Sequence, residues 1–590
     1  MKKLLVLSLF VCLILSLSVS VCAATISGDC GDNAQWSLDD ETYIMTISGQ
    51  GTVTNGEWDE YGYLIEKIIV QGNITSIDAC TFQNLPVKEI SLPDTVVNIG
   101  EGAFKDCFAL ETINIPSGIE NIAANTFSGC TAITQIDIPS TVNSIGNEAF
   151  RFCPVLEEIK IPSSVKTIGD YAFCECSALK TVTIPSTVTS IGKGVFSTCY
   201  LLEEASLFGI TTVPEEAFYS CENLKTVTLS DSITAINESA FDFCAALENI
   251  NIPVNLETIG RYAFFGCEKL NSSLNLTNVT NIASEAFCNC IALEEVIFGN
   301  KLETIENSAF YGTALKSITI PNSVTEIGDN AFYTCSALTD VIIGDGLEII
   351  PGSCFEDCTS LKNVTIGSKV NAIESGAFYN CTSLESIYIP KSVKDINSHA
   401  FAKCAALENI TICNGVEYIH QEAFPGCTSL KNITFPASVE YVGYWVFYGC
   451  SSLESITFYS KTTEIDPYML EESTQNNITV YGYENSTAQA LVEANEIETL
   501  SLTFVPLTEI ILDPSYVKVI NLKKENAKLV VVSLNDKKIV DTKIVDIKNN
   551  EVYGFANINL NLKDATNVKA YVFESFSILS PLCHTTLIDL

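Results

Sequence analysis

The chain has 590 residues, with 32 Lys and Arg against 71 Asp and Glu and a formal net charge of −39. A hydrophobic content of 47% supports core-forming structure in spite of the acidity. That charge argues against rows of phosphates and against anionic membrane surfaces as partners. Three His and three Met leave few imidazole or thioether ligands for a transition metal.

Lys2 and Lys3 precede an apolar run from Leu4 to Val21 that ends at Val21-Cys22-Ala23-Ala24. A basic start, an apolar stretch and small residues at the end predict a secretory signal peptide over residues 1–23, cut after Ala23 or Ala24. An uncleaved membrane anchor is the competing reading. Removal of the leader takes Lys2 and Lys3 away and leaves a charge of −41. No other stretch is apolar enough to span a bilayer, so the expected product is secreted, and either free or associated with a cell surface. Residues 24–79 alternate around Gly-rich turns (Gly28-Asp29-Cys30-Gly31, then Trp36-Ser37-Leu38, then Met45-Thr46-Ile47-Ser48-Gly49) and predict a β-hairpin cap.

From there a period of 23 governs the chain. Phe recurs at 82, 104, 127, 150, 173, 196, 218, 241, 264, 287, 310, 332, 355, 378, 401, 424 and 447, thirteen intervals being 23 and three 22. Cys follows three residues later in fifteen units, with Leu85 and Thr313 as the two exceptions. Leu179, Val182, Ile184, Pro185, Val188, Ile191, Gly192 and Phe196 show the grammar of one unit. Leu-x-x-Val-x-Ile alternates on a period of two and predicts a short strand, which Pro185 ends because it has no N–H to donate. Val188 and Ile191 form a second apolar edge. One unit cannot build a core alone, whereas stacked units can, which predicts a solenoid of about 17 coils over residues 80–480. At a strand-like spacing of roughly 4.8 Å the array would reach about 80 Å.

The pattern L-x-x-I-x-I-P-x-x-V-x-x-I-G-x-x-A-F-x-x-C resembles the BspA-type leucine-rich repeat of bacterial surface and secreted proteins, over about residues 80–460. The resemblance implies adhesion to an extracellular protein of a host, a matrix or another microbe. It also implies a closing cap at 481–508, where Ser486-Thr487-Ala488 leads into a short helical pattern with Asn485 or Ser486 as N-cap. Residues 509–590 differ in composition, with ten Lys against ten Asp and Glu. Runs at Leu529–Leu534 and Val552–Leu562 predict a small β-sandwich-like domain. Around Leu270 the strand pattern slips by one residue, which suggests a bulge.

The regular Cys column predicts buried free thiols in the coil interior. Cys174-x-Cys176, Cys288-x-Cys290 and Cys354-x-x-x-Cys358 are the close pairs, but the second Cys of each belongs to the column, so no metal site is assigned. Cys30 and Cys80 are left open as a cap disulfide. His399, His420 and His584 sit in turn or tail positions without a nucleophile motif, and no phosphate loop, metalloprotease helix or EF-hand spacing occurs. No catalytic residue and no cofactor are therefore assigned, and the chain is read as a non-enzymatic binding protein. The rival reading is a spacer or surface-layer scaffold whose C-terminal β-domain attaches.

Two surfaces are candidates for a partner. Outward strand positions form a charge ladder (Glu157, Lys180, Glu203, Lys225, Glu294, Lys316), which serves to solvate and pin a sheet. Directly after the repeat Phe stand Tyr219, Phe265, Tyr311, Tyr333, Tyr379 and Tyr448, a column of aromatics at the turn. Such residues carry interface energy, though each ring can also simply cover its neighbour's backbone.

Overall fold

The computed structural model describes residues 26–58, 60–271, 273–473, 477–495 and 500–507 in full, and beyond them the backbone of the strands that follow. The predicted leader lies outside the described residues. The chain forms two units, residues 1–282 with 286–293, and residues 283–285 with 294–590. Each is a β-solenoid wound from the same coil.

The first unit opens with three antiparallel strands, Ile26–Asp29, Ala34–Asp39 and Ile44–Val53. Trp36, Leu38, Met45 and Ile47 alternate inward and are buried, as a hairpin with one packed face requires. The third strand then pairs in parallel with Lys67–Val70 and Asn73–Ile77, and so converts the hairpin into the start of a parallel stack. Further along, Thr181–Ile184, Glu204–Leu207 and Thr226–Leu229 lie side by side in parallel, Thr181 opposite Glu204 and Ile184 opposite Leu207. Val182, Ile184, Ala205 and Leu207 face inward. The strand stops at Ile184, just before Pro185.

The second apolar edge is itself a strand. Asn121–Ile122, Ser144–Ile145, Thr167–Ile168 and Ser190–Ile191 form a parallel ladder of two-residue rungs. Such a rung is too short to show a period in the sequence, and it exists because identical segments lie on top of one another. The Gly that follows answers to that closeness. A Cβ on Gly192 would stand 2.3 Å from the backbone N of Asp170 in the preceding coil.

At the turn, each Phe N–H donates to the next coil, as Phe150 does to the Ala172 carbonyl at 2.8 Å. Residues two before and two after the Phe are left-handed: Glu148 and Phe152 have φ of 54° and 56°, Tyr171 and Glu175 of 54° and 63°. Between these two bends the Phe side chain is driven inward. From Phe82 to Phe287 the rings stack at centroid distances of 5.1 to 5.8 Å with planes within 17°, and Trp58 closes the near end of the row at 5.7 Å from Phe82.

The second unit repeats this. Ser317–Ile320, Asp340–Ile343 and Asn363–Thr365 pair in parallel, and the two-residue ladder runs through Ile349–Ile350, Asp395–Ile396, Tyr418–Ile419, Tyr441–Val442 and Glu464–Ile465. Phe310 to Phe424 stack at 5.3 to 5.4 Å. Ser455–Phe458, Asn477–Gly482 and Ser501–Pro506 continue the parallel sheet. A seven-residue helix, Thr487–Glu493, lies against this end; its N-cap is Ser486, whose side chain accepts from the Gln489 N–H. Beyond it come two antiparallel sheets, one of Glu509–Asp513, Tyr516–Ile520 and Val552–Gly554, the other built around Lys528–Asn535 and Asn567–Phe573. The expected strand from Val552 is described as far as Gly554, and the side chains that would make these sheets a sandwich lie outside the described residues. Leu270, Leu274 and Leu276 are all fully buried, whereas residue 272, at the expected bulge, is outside the description.

The repeat thiols are free and buried, and so are Cys174 and Cys354, while Cys288 beside Cys290 is buried as well. Cys30 is a buried free thiol and Cys80 an exposed one, so the open question of a cap disulfide resolves to two separate thiols.

Candidate functional site

The outward charge ladder forms ion pairs between neighbouring strands: Lys180 with Glu157 at 2.7 Å, Lys225 with Glu203 at 2.9 Å, and Lys316 with Glu294. All are well exposed, so each pair contributes little to stability and serves mainly to solvate the sheet.

The turn edge is different, because the left-handed bends push alternate side chains outward there. In the first unit Tyr219 meets Phe243 edge-on at 6.3 Å, and Phe265 meets Phe243 at 5.3 Å and Tyr262 at 5.7 Å. Phe243 and Tyr262 occupy the two left-handed positions, and neither was singled out from the sequence. Three cations on this edge have local partners. Arg151 pairs with Glu148 at 3.1 Å and Glu175 at 3.3 Å, Lys193 with Glu215 at 2.5 Å and Glu216 at 3.2 Å, and Arg261 lies 4.4 Å from the Tyr262 ring centroid.

In the second unit Tyr311 and Tyr333 stack on each other at 5.1 Å. Tyr379 carries the ammonium of Lys403 at 4.9 Å. Tyr448 belongs to a larger group that spacing alone did not reveal. Tyr444 and Trp445 meet edge-on at 5.3 Å, and Trp445 lies 6.2 Å from Tyr448. Tyr444, Trp445 and Tyr448 are 39%, 39% and 42% exposed, and Tyr468 of the next coil is 50% exposed. Trp36 and Trp58 are buried, which makes Trp445 the one Trp that faces solvent. The signal in the sequence was the Tyr444-Trp445 doublet in a turn where other coils carry Asp170 or Asn330.

Carboxylates surround this group. The Trp445 indole N–H donates to Glu471 at 2.5 Å. The Tyr448 hydroxyl is bonded to Glu472, which pushes its pKa up. On the adjoining two-residue ladder the Tyr418 hydroxyl donates to Glu440 at 3.1 Å, and burial together with Asp466 and Glu464 raises Tyr441. His420 lies between Tyr418 and Tyr441, with centroid distances of 6.4 and 6.5 Å, and 3.5 Å from Asp395. His399 pairs with Glu422 at 2.8 Å. Among the described residues no three His, Cys, Asp or Glu side chains gather as a metal site.

The repeat grammar, the stacked Phe row and the Cys column define the coil, and the BspA type leucine-rich repeat region matches residues 60–179, 143–271, 280–408 and 394–510. The chain belongs to the BspA-type leucine-rich repeat family. Solved structures similar to this BspA-type chain include a leucine-rich repeat protein from Bacteroides ovatus, 27% identical over 81% of this chain and 99% of that one, with a TM-score of 0.41. A leucine rich cell surface protein from Faecalibacterium prausnitzii is 23% identical over 74% and 96%, with a TM-score of 0.32. The pneumococcal vaccine antigen PcpA is 16% identical over 82% and 99%, with a TM-score of 0.27. No curated protein matches the chain.

Proposed function

We propose that this BspA-type chain is an exported, non-enzymatic binding protein that presents the turn edge of its repeats to an extracellular protein. The observation that carries the reading is the exposed group Tyr444, Trp445, Tyr448 and Tyr468, set among carboxylates on a rigid stack. Large rings fixed by their neighbours lose little freedom on binding, which is why such residues dominate interface energies. Family membership supports a surface or secreted setting, and no described helix is long and apolar enough to cross a membrane. The net charge of zero on residues 509–590, against a strongly acidic repeat region, favours one second reading, in which those strands attach and the repeats act as a spacer.

A test is solid-phase binding of the chain lacking residues 1–23 to purified matrix and microbial surface proteins. The expected result is saturable binding to at least one of them, weakened about tenfold or more by the double change Tyr444→Ala and Trp445→Ala. Binding that ignores the double change and disappears on removal of 509–590 would support the spacer reading instead.

A further inference from the structure

Two rings of the turn edge are capped by a cation of this chain, and among the described residues the rings of the coil of Phe447 are not. In the coil of Phe264, Arg261 covers Tyr262, two residues before the Phe. In the coil of Phe378, the ring one residue after the Phe is Tyr379, and Lys403, two residues after Phe401 of the next coil, covers it. The same ring positions in the coil of Phe447 are Trp445 and Tyr448. The residue that matches Arg261 is Tyr444, and the residue that matches Lys403 is Glu472. The backbone match is close, since Lys403 and Glu472 are both left-handed, at φ of 59° and 52°. Where Tyr379 has an ammonium, Tyr448 therefore has a carboxylate.

The surroundings offer no substitute. From 432 to 460 the chain contains no Lys or Arg, and from 432 to 473 six carboxylates (Glu440, Glu454, Glu464, Asp466, Glu471, Glu472) stand against Lys461 alone. Ring faces are electron-rich and attract cations, most strongly for Trp, and a carboxylate at the rim strengthens the attraction. We propose that Trp445, Tyr448 and Glu472 form a receptor for an Arg or Lys side chain of a partner protein's basic segment, in the place that Arg261 takes over Tyr262 and Lys403 over Tyr379. This deepens the binding-protein reading and rests on it. A sugar fits less well. The indole N–H and the Tyr448 hydroxyl, the groups that would meet sugar hydroxyls, are already bonded to Glu471 and Glu472, and a neutral sugar leaves the local charge unanswered.

Trp445 supplies the readout, because the other two Trp residues are only 2% and 1% exposed. The chain lacking residues 1–23 is titrated with a synthetic peptide of alternating Arg and Ser, and with the same peptide carrying neutral citrulline in place of Arg. The expected result is a saturable change in Trp fluorescence with the Arg peptide, at least about tenfold weaker for citrulline and weaker again in high salt. Glu472→Lys, which rebuilds the Tyr379–Lys403 arrangement, is expected to weaken the Arg peptide at least about tenfold with an unchanged circular dichroism spectrum. Glu472→Gln should fall between. Equal binding of both peptides, full binding by Glu472→Lys, or a saturable response to an oligosaccharide and none to the Arg peptide would each overturn the proposal. If the chain captures an extracellular protein whose binding Glu472→Lys leaves unchanged, this receptor is wrong while the binding-protein reading stands.

Discussion

A cysteine of the repeat column fills a small apolar slot and donates its S–H to the Phe carbonyl of the preceding coil, as Cys244 does to Phe218 at 3.2 Å. Cys107 does the same to Phe82 at 3.1 Å and Cys427 to Phe401 at 3.3 Å. Burial makes these thiols reluctant to ionise. It pushes Cys107 up to about 12 and Cys335 up to about 11, from an ordinary value near 9, and moves Cys130, Cys176 and Cys199 well upward too. A proton held more tightly in the folded state stabilises it fully below pH 9. That contribution fades as the pH rises from 9 towards 12, because the unfolded chain ionises first. Urea midpoints followed by circular dichroism should therefore be level up to about pH 8.5 and fall steeply from there to about pH 11; a flat profile across that range would contradict the burial of the column. The free thiols were legible from their regular spacing, since a strict column in a stacked array has to point inward. Their carbonyl partners were not, because spacing does not tell which backbone oxygen the coil brings to the sulfur. Trp445 escaped notice for a related reason: it lies two residues before the Phe, in a column where Glu148, Ser239, Asn330 and His399 stand beside two isolated rings, Tyr171 and Tyr262, so no aromatic pattern marks it.

The Phe row is the element that joins coil to coil within each unit. Phe241 is fully buried, 5.4 Å from Phe218 with planes 3° apart and 5.3 Å from Phe264. Phe241→Ala removes both ring contacts and leaves a cavity that the rigid neighbouring coils cannot close. It should cost about 3–5 kcal/mol, measured by urea unfolding. A loss below about 1 kcal/mol would mean that the rings stack without carrying the packing. At this scale the longer strand was readable, because Val182 and Ile184 alternate with exposed Thr181 and Thr183. The two-residue rungs such as Thr167–Ile168 were not, because they are held by the coils above and below and not by any local pattern. The left-handed bends were equally hidden. Glu216, Ser220, Phe243 and His399 adopt φ between 54° and 59°, and none of them is Gly, so the usual marker of such a bend is missing.

For the whole molecule, charge is the dominant long-range term. A net charge of −39 repels itself, and the ion pairs on the strand face are too exposed to offset it. Added salt shortens the screening length from about 30 Å at 0.01 M to below 10 Å at 0.15 M. Raising NaCl from about 10 to about 300 mM should therefore raise the thermal midpoint by a few degrees; a lower midpoint would show that attraction between neighbouring coils outweighs the repulsion. The fold class was legible at this scale because a 23-residue period admits few structures other than a solenoid. The binding chemistry was not, since it depends on which coil departs from its equivalents. The bends beside each Phe have a consequence of another kind. Their backbone is dictated by the coils above and below, so Glu, Ser, Asn, His, Tyr, Trp and Gly all occupy the same site without altering the chain path. Each bend works as a socket, and the surface script of this protein can be rewritten one letter at a time while the page beneath it stays the same.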